Sequence, residues 1–360
     1  MKRRIKNILA IHLLNNFSGS PRILSDSLTA LQEAGANIHL YTSKGPGLLD
    51  KLPVTYTFIG YKWHPNKWRR LLNFLSAQWQ IFWKVIQCRK NIDLVYINTL
   101  LPGAGAVAAR LLGVRMVYHI HETHLGEKKL DWLMKTIFKW TANEAIFVSD
   151  FLSNHYSMSF KVQKSVIPNS VEPTISSPHV SIPTDKYDIL MISSLKWEKG
   201  LMEFIKLAQM LESFSFLLII GTQQHNIENF FSDIHFPSNL EVLPFQQETG
   251  IYYMQSRVLL NLSHPSSLPV SFGMTILEGL KFGLPSIVPL VGGPSELIQD
   301  GIEGFHISCF DFEKLTSSIK NLLSDEKLYK SMSTAARKRS LDFSNYIFKM
   351  NICKKKLFSD

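Results

Sequence analysis

The stretch SFGMTILEGLKFGLPSIVPLVGGPSELIQDGIEGF, Ser271 to Phe305, decides the fold. It opens on a glycine loop, Phe272-Gly273-Met274, that runs into the helical stretch Thr275–Phe282. Gly283-Leu284-Pro285 ends that helix and launches a strand, Ser286–Pro289. Gly292-Gly293 is a second glycine turn into a second helix, Ser295–Gln299, and Asp300-Gly301-Ile302-Glu303-Gly304 is a turn after that. Helix, strand and helix joined by tight glycine turns are one half of a doubly wound α/β unit. A glycine loop at a helix start is also an anion site. The first amides have no partner inside the helix, and the positive end of its dipole lies behind them. Glu278 sits about one turn inside the helix, where a carboxylate can accept hydrogen bonds from a vicinal diol such as a ribose.

The same alternation extends in both directions. Asp188–Ser193, Phe216–Ile220, Leu240–Leu243 and Val258–Leu262 read as short strands, and Leu201–Leu211 as a helix. Earlier, the apolar run Lys6–Leu13 ends in the polar loop Asn15–Pro21, and Arg22–Glu33 has helical spacing before Gly35 stops it. Asn37–Thr42, Ile92–Ile97, Arg115–Ile120 and Ala145–Ser149 are further strands, and the small residues from Gly103 to Ala109 suit a tightly packed helix. Strand and helix in repeated order mean parallel sheets covered on both faces. Between Val166 and Lys186 the periodicity lapses among Pro168, Pro173, Pro178 and Pro183. The expected organisation is an N-terminal Rossmann-like domain over 1–165, a linker over 166–185 and a C-terminal Rossmann-like domain over 186–340. A helix over 341–360 is expected to cross back to the first domain. Open parallel sheets bind ligands at the carboxyl ends of their strands, so a cleft between the two halves is the expected site.

Composition sets the limits. The chain has 360 residues, 45% hydrophobic and 19% charged, enough for two cores and unlike a disordered chain. Its three cysteines, Cys88, Cys309 and Cys353, are far apart and form no CxxC pair, so neither a zinc site nor a disulfide framework is suggested. No run approaches the roughly 18 apolar residues of a membrane span, and Ile5–Leu14 lacks a signal-peptide cleavage site, so a cytoplasmic protein is expected. The net charge of +10 suits nucleic acid, an anionic membrane surface or phosphate-bearing small molecules. No zinc-finger spacing or basic region with heptads points to nucleic acid.

Across Ser271–Phe305 the sequence resembles the C-terminal signature of glycosyltransferase family 4, the retaining glycosyltransferases of GT-B fold. The resemblance implies an α/β GT-B architecture, two Rossmann-like domains facing each other across a cleft, with the nucleotide-sugar donor on the second domain and the acceptor on the first. It implies transfer of a sugar from a UDP- or GDP-linked donor to a glycan or lipid-linked acceptor, in polysaccharide or lipopolysaccharide biosynthesis, with no cofactor. No Asp-x-Asp motif is present to hold a metal.

The resemblance also distributes roles. Glu278 matches the second of two family glutamates, and Phe272, Gly273, Met274 and Thr275 form the loop beneath donor sugar and phosphates. The first glutamate falls at Val270, a departure. In Ser193–Gly200, Lys199 matches a lysine that reaches the donor diphosphate, while the partner arginine falls at Ser194, a second departure. Two cations there would neutralise the diphosphate and the charge growing on the leaving group. Lys196 is either the substitute cation or a solvated loop lysine. His121, closing the strand that contains His119, is placed by the resemblance beside the reacting sugar; the alternative for either histidine is a packing residue. Gly19 lies in a loop set against the donor phosphates, or is a turn glycine. The catalytic set is therefore His121, Glu278 and Lys199, and the donor set Gly19, Ser194, Lys196, Lys199, Phe272, Gly273, Met274, Thr275 and Glu278, with no metal ligand.

One further segment stands out. Trp68–Lys90 is helical in pattern, apolar over a wide stripe and basic at both ends. Such a helix can lie in a membrane interface, which would make the protein peripheral at the cytoplasmic face of the inner membrane, or it can cover the first sheet. Phe74, Ile81 and Val85 suit the core and Trp68, Arg69 and Arg70 the membrane. Three rivals remain: a GT-B relative that binds sugar nucleotides without turnover, favoured by Val270 and Ser194, a nucleic-acid-binding protein, favoured by charge alone, and another GT-B activity such as a sugar-nucleotide epimerase.

Overall fold

In the computed structural model, which describes residues 5–88, 92–156, 162–171, 186–267 and 269–354, every strand pairs in parallel with its neighbours. A parallel sheet is covered on both faces, so its strands must be apolar throughout rather than alternating. Leu94–Asn98 and Phe216–Ile220 are accordingly buried at every position. The chain divides into two units, Met1–Ser170 with Asn345–Asp360, and Val171–Ser344.

The first unit runs β1 (Asn7–Ile11), α1 (Gly19–Glu33), β2 (Asn37–Ser43), β3 (Thr55–Ile59), α2 (Lys67–Gln87), β4 (Leu94–Asn98), α3 (Gly103–Leu111), β5 (Arg115–Ile120), α4 (Lys128–Thr141), β6 (Glu144–Phe147), α5 (Asp150–His155) and β7 (Gln163–Val166). Its seven-stranded sheet has the order β3-β2-β1-β4-β5-β6-β7. The chain winds one way from β1 and the other way from β4, so the crevice at the carboxyl ends of these two strands is the switch point where such folds bind ligands.

The second unit runs β8 (Tyr187–Ser193), α6 (Leu201–Met210), β9 (Phe216–Ile220), α7 (Gln224–Phe230), β10 (Leu240–Leu243), α8 (Gly250–Met254), β11 (Ser256–Leu260), α9 (Met274–Phe282), β12 (Ser286–Val288), α10 (Pro294–Leu297), β13 (Gly304–His306), α11 (Phe312–Ser324) and α12 (Glu326–Ser340). The sheet order β10-β9-β8-β11-β12-β13 puts the switch point between β8 and β11. Phe204 of α6 and Phe216 of β9 meet edge to face at 5.3 Å in its core, both fully buried. The last helix, α13 (Asn345–Lys354), returns to the first unit. It packs on α1 through a Lys349–Glu33 ion pair of 2.8 Å.

Several expected boundaries move. The helix placed at Arg22 starts at Gly19, because Pro21 falls in the first turn, where a missing N–H costs nothing. Gly19 is thus helical rather than part of the loop. The strand placed at Ala145–Ser149 stops at Phe147, and the Ser149 hydroxyl instead caps α5 by accepting from the Leu152 amide at 3.0 Å. Val258–Leu262 shifts to β11, Ser256–Leu260. Residues 341–343 form a single 3-10 turn in the second unit, and the returning helix begins at Asn345. The two units meet in sequence at Ser170 and Val171, inside the stretch expected as a linker. Residues 172–185 of that stretch, Arg89 and Lys90 of the basic segment, and residues 355–360 lie outside the described residues.

Candidate functional site

In the second unit the carboxyl-end loops of three strands meet. Gly200 follows β8 with φ +80°, and a Cβ there would lie 2.2 Å from the Leu262 carbonyl oxygen in the loop after β11. The His264 amide donates to the Glu198 carbonyl at 2.8 Å, tying the same two loops. Gly293, after β12, lies against the backbone of Phe272: a Cβ would come 2.3 Å from the Phe272 Cα. The Gly293 amide donates to the Val270 carbonyl at 2.8 Å. Diglycine is therefore a packing requirement, since it lets one loop lie directly on the other.

That contact sets the start of α9. Gly273 caps the helix in the left-handed region, φ +102°, and the Ile276 and Leu277 amides both close onto its carbonyl. The amides before them project from the helix end, with the positive dipole behind. Gly279 is buried against Leu259 of β11, where a Cβ would sit 2.4 Å from Leu259 Cδ2, so α9 lies close on the sheet. Glu278, one residue earlier, is half-buried, and the buried Tyr253 donates its hydroxyl to Glu278 Oε2 at 3.0 Å and to the Thr275 carbonyl at 3.2 Å. Lys199 ends the 3-10 turn Trp197–Lys199, which Trp197 anchors by packing on Phe230 at 4.1 Å. Burial, and then the nearby charge of Lys196, push the Lys199 ammonium down to about 8. An ammonium held in this state gains from a polyanion beside it. Ser194 and Lys196 are exposed.

In the first unit four side chains gather at the switch point. Asn98 ends β4, fully buried. Its amide nitrogen donates to the Ser20 carbonyl at 3.1 Å and lies 3.0 Å from His12 Nδ1; its Oδ1 lies 2.9 Å from His121 Nε2. His121 rests on His119 with ring centroids 4.4 Å apart, and His119 Nδ1 meets the Tyr96 hydroxyl at 2.8 Å. Burial pushes His12 down to about 4 and His119 to about 3. Burial, followed by the charges of His119 and His12, holds His121 well below the ordinary histidine value. All three are neutral imidazoles at pH 7. Thr99, next to Asn98, has φ +71°, the one non-glycine positive φ among the described residues. Its amide donates to the His119 carbonyl at 2.9 Å, and the Leu100 amide to Glu122 Oε1 at 2.7 Å, so the bonds to the β5 end hold the strained turn.

Comparison with known proteins decides the family. Residues 17–175 match the model described as Glycosyltransferase Family 4, and residues 174–339 the model described as Glycosyl transferases group 1. The chain belongs to glycosyltransferase family 4. It is similar to the N-acetyl-alpha-D-glucosaminyl L-malate synthase of Bacillus anthracis, 22% identical over 69% of this chain and 70% of that one. It is also similar to the poly(glycerol-phosphate) alpha-glucosyltransferase of Bacillus subtilis, 23% identical over 63% of this chain but 35% of that one. A sucrose synthase of Melioribacter roseus is 42% identical over 72 residues, which span 9% of its length. Anabaena HepE, solved with UDP and glucose, superposes with a TM-score of 0.78 at 18% identity, covering 98% of this chain and 99% of that one. WaaG, a glycosyltransferase involved in lipopolysaccharide biosynthesis, superposes with a TM-score of 0.71 at 15% identity, covering 98% and 99%. The fold is the α/β GT-B fold, two Rossmann-like units.

In this family member, the structure gathers Phe272, Gly273, Met274, Thr275 and Glu278 at the start of α9, and Ser194, Lys196 and Lys199 at the end of β8. Gly19 and His121 stand in the first unit, joined through Asn98 to the neighbouring Ser20. His119 is the packing residue of the two histidines, fully buried. At Val270, where the family has glutamate, the carbonyl rather than the side chain is engaged, in the bond to Gly293. Three residues escaped the sequence reading: His12, Asn98 and Tyr253. The first two left a signal, a single polar residue closing an otherwise apolar strand; Tyr253 left none, since only tertiary packing brings α8 to α9. Among the described residues no group of three His, Cys, Asp or Glu side chains could hold a metal ion.

The basic aromatic segment splits by face. On α2, Phe74, Ile81 and Val85 are buried, while Trp68, Trp79 and Trp83 are exposed, Trp68 to 76%. On α4, Trp132 and Trp140 are exposed as well, Trp132 to 68%. α2 and α4 both pack on α3, and Lys67 reaches Glu127, the residue capping α4, at 3.8 Å. Six of the seven tryptophans of the chain therefore lie exposed between Trp63 and Trp140. No described helix is long and apolar enough to cross a membrane.

Proposed function

We propose that this family member is a retaining, metal-independent hexosyl- or other glycosyltransferase. It moves a sugar from a UDP- or GDP-linked donor to a glycan or lipid-linked acceptor in bacterial surface polysaccharide assembly. The observation that carries the reading is the arrangement at the end of the second sheet: the amide-rich start of α9, Glu278 one turn inside it and oriented by Tyr253, and Lys199 on the loop after β8. The ribose diol bonds to Glu278. The diphosphate lies over the Phe272–Thr275 amides, with Lys199 and Lys196 taking up the charge that grows as the bond to the anomeric carbon breaks. His121 stands beside the reacting sugar, and Gly19 near the phosphates. The neighbours solved with UDP support the donor class.

The tryptophan surface supports a peripheral protein at the cytoplasmic face of an anionic membrane. Exposed aromatic rings seat in the headgroup region; Lys67, Arg69 and Arg70 flank Trp68 in sequence, Lys139 adjoins Trp140, and Arg70 lies over the Trp63 ring at 5.8 Å.

Val270 and Ser194 favour a second reading, a sugar-nucleotide-binding protein without turnover. A transfer assay with UDP- and GDP-sugars, in EDTA, separates the two. Turnover with retained anomeric configuration, lowered at least tenfold in Glu278→Ala, is the expected result. Donor binding without any transfer, and no effect of Glu278→Ala, would sink the transferase reading.

A further inference from the structure

The switch point of the first unit contains a hydrogen-bonded chain whose proton positions can be deduced from its partners. The Ser20 carbonyl can only accept, so the atom of Asn98 facing it at 3.1 Å is the amide nitrogen. Asn98 Oδ1 then faces His121 Nε2 at 2.9 Å. An amide oxygen only accepts, so Nε2 of His121 carries the proton and its Nδ1 presents a lone pair. Nδ1 makes no hydrogen bond among the described residues, and unlike Nε2 of His119 it is not a sealed atom without a partner. His12 Nδ1 lies 3.0 Å from the Asn98 amide nitrogen and 3.5 Å from the Asn98 main-chain carbonyl, and the shorter contact favours a bare Nδ1 on His12.

We propose that Asn98 is a positioning residue that locks His121, the histidine the proposed function puts beside the reacting sugar, as the Nε2–H tautomer with Nδ1 bare. The inference rests on the glycosyltransferase reading for that sugar, though not for the tautomer itself. Three observations converge on it. Asn98 is completely buried, and its amide bonds three partners at once, on the loop after β1, on the first turn of α1 and at the end of β5. The turn that follows Asn98, with Thr99 at φ +71°, is tied to the end of β5 by the Thr99 and Leu100 amides, which fixes Asn98 relative to His121. The groups facing His121 are the rings of His119 and His12, the Asn98 amide, and Glu122, whose Oε2 accepts from the His121 amide at 3.1 Å. Two neighbouring imidazoles and burial disfavour a proton on Nδ1. A neutral ring of fixed tautomer is therefore an acceptor at a defined place, where an imidazolium would be a donor.

The test is nitrogen NMR of the ring nitrogens in the full-length chain labelled with 15N-histidine, alongside steady-state transfer kinetics. The wild-type chain is expected to show His121 protonated on Nε2 and bare on Nδ1 from pH 6 to 8. Asn98→Ala should release the ring into a mixture of tautomers and lower kcat about tenfold, the value of one hydrogen bond, with a smaller change in donor KM. Asn98→Asp keeps an acceptor beside Nε2 but adds a negative charge, so it should bring protonation of Nδ1 up towards neutrality and move the acid limb of the kcat profile to higher pH. If His121 in the wild-type chain carries its proton on Nδ1, or if Asn98→Ala leaves both tautomer and pH profile unchanged, the proposal is overturned. Should either variant fail to fold, the wild-type spectrum alone still decides which ring nitrogen of His121 carries the proton. A chain that shows the expected tautomer but transfers no sugar would overturn the transferase reading and leave the lock standing.

Discussion

The hydroxyl of buried Tyr253 donates to Oε2 of half-buried Glu278 at 3.0 Å, a bond that orients the carboxylate. If Glu278 holds the ribose, its orientation matters mainly for donor binding and much less for the chemical step. Tyr253→Phe removes the hydroxyl and keeps the ring that stacks on Phe282 at 5.5 Å. Donor KM should rise about three- to tenfold, the value of one hydrogen bond of about 1 kcal/mol, with kcat nearly unchanged. A fall in kcat with KM unmoved would show that Tyr253 serves the reaction rather than the ribose.

Lys199 should make donor binding depend on pH. Its folded-state value is pushed down to about 8, so the ammonium is present below that and lost as pH rises through it. Only the charged form neutralises the diphosphate. Donor KM should therefore be flat from pH 6 to 7.5 and climb above about 8. Arginine stays charged across this range, so Lys199→Arg should flatten the climb even if it weakens binding overall. Steady-state kinetics of both proteins from pH 6 to 9.5 check this; an equal climb in the arginine variant rules Lys199 out as the cause.

Why some of this was legible and some not has a physical pattern. Ser271–Phe305 could be read because each glycine there answers a local demand: Gly273 has a left-handed φ, and Gly293 and Gly279 lie against the backbone or a core side chain. Such demands leave their mark on the sequence at the position itself. Phe216–Ile220 was readable for the same reason, as an apolar run too short for a helix. β3 is an edge strand, with Thr55 and Phe58 exposed, and β7 has no buried position, so neither shows the apolar run that marked the central strands. At the site, Glu278 and Lys199 sit in local motifs, whereas Asn98 works through Ser20, His12 and His121, residues far apart in the chain. Only the parallel pairing of β1, β4 and β5 brings them together.

The three histidines at the switch point should make the fold sensitive to mild acid. Their folded-state values lie below the ordinary 6.5, with His12 at about 4 and His119 at about 3. Above about pH 6.5 all are neutral in both states and contribute nothing. As pH falls below that, the unfolded chain takes up protons that the native chain refuses. Stability is lost by up to about 1.4 kcal/mol per pH unit for each histidine. Urea unfolding at pH 7 and 5.5 should show this loss. His119→Phe deprives the Tyr96 hydroxyl of a partner and lowers stability at both pH values, so the difference between them is the readout, and it should shrink. A difference as large as in the wild-type chain would mean that His119 is protonated in the native state.

The tryptophans on α2 and α4 predict binding to vesicles of mixed phosphatidylglycerol and phosphatidylcholine, and much weaker binding to phosphatidylcholine alone. Each seated ring contributes on the order of 1–2 kcal/mol and each nearby cation about 1 kcal/mol at low salt. Trp68 and Trp79 are 76% and 65% exposed, so replacing both by alanine removes little packing. Co-sedimentation should fall at least tenfold while the melting temperature holds. Added salt should weaken the wild-type chain as well, through the cations. Retention of full binding by the double variant would show that these rings do not face the bilayer.

The glycines after β12 allow a contrast between packing and backbone strain. Gly293→Ala puts a methyl 2.3 Å from the Phe272 Cα and 2.5 Å from the Ser271 carbonyl oxygen, both backbone atoms that cannot rotate away. The Phe272–Thr275 loop must then lift, and the start of α9 with it. Gly301 has φ +79°, yet nothing lies within 4 Å of a Cβ built there, so Gly301→Ala carries only the cost of the left-handed backbone, about 1 kcal/mol. Both variants should be less stable than the wild-type chain, Gly293→Ala by about 1–3 kcal/mol. Only Gly293→Ala should also raise donor KM, because only that glycine lies against the loop proposed to carry the phosphates. Thermal melts read the first effect and donor titration the second; equal donor affinity in the two variants would detach the loop from the donor.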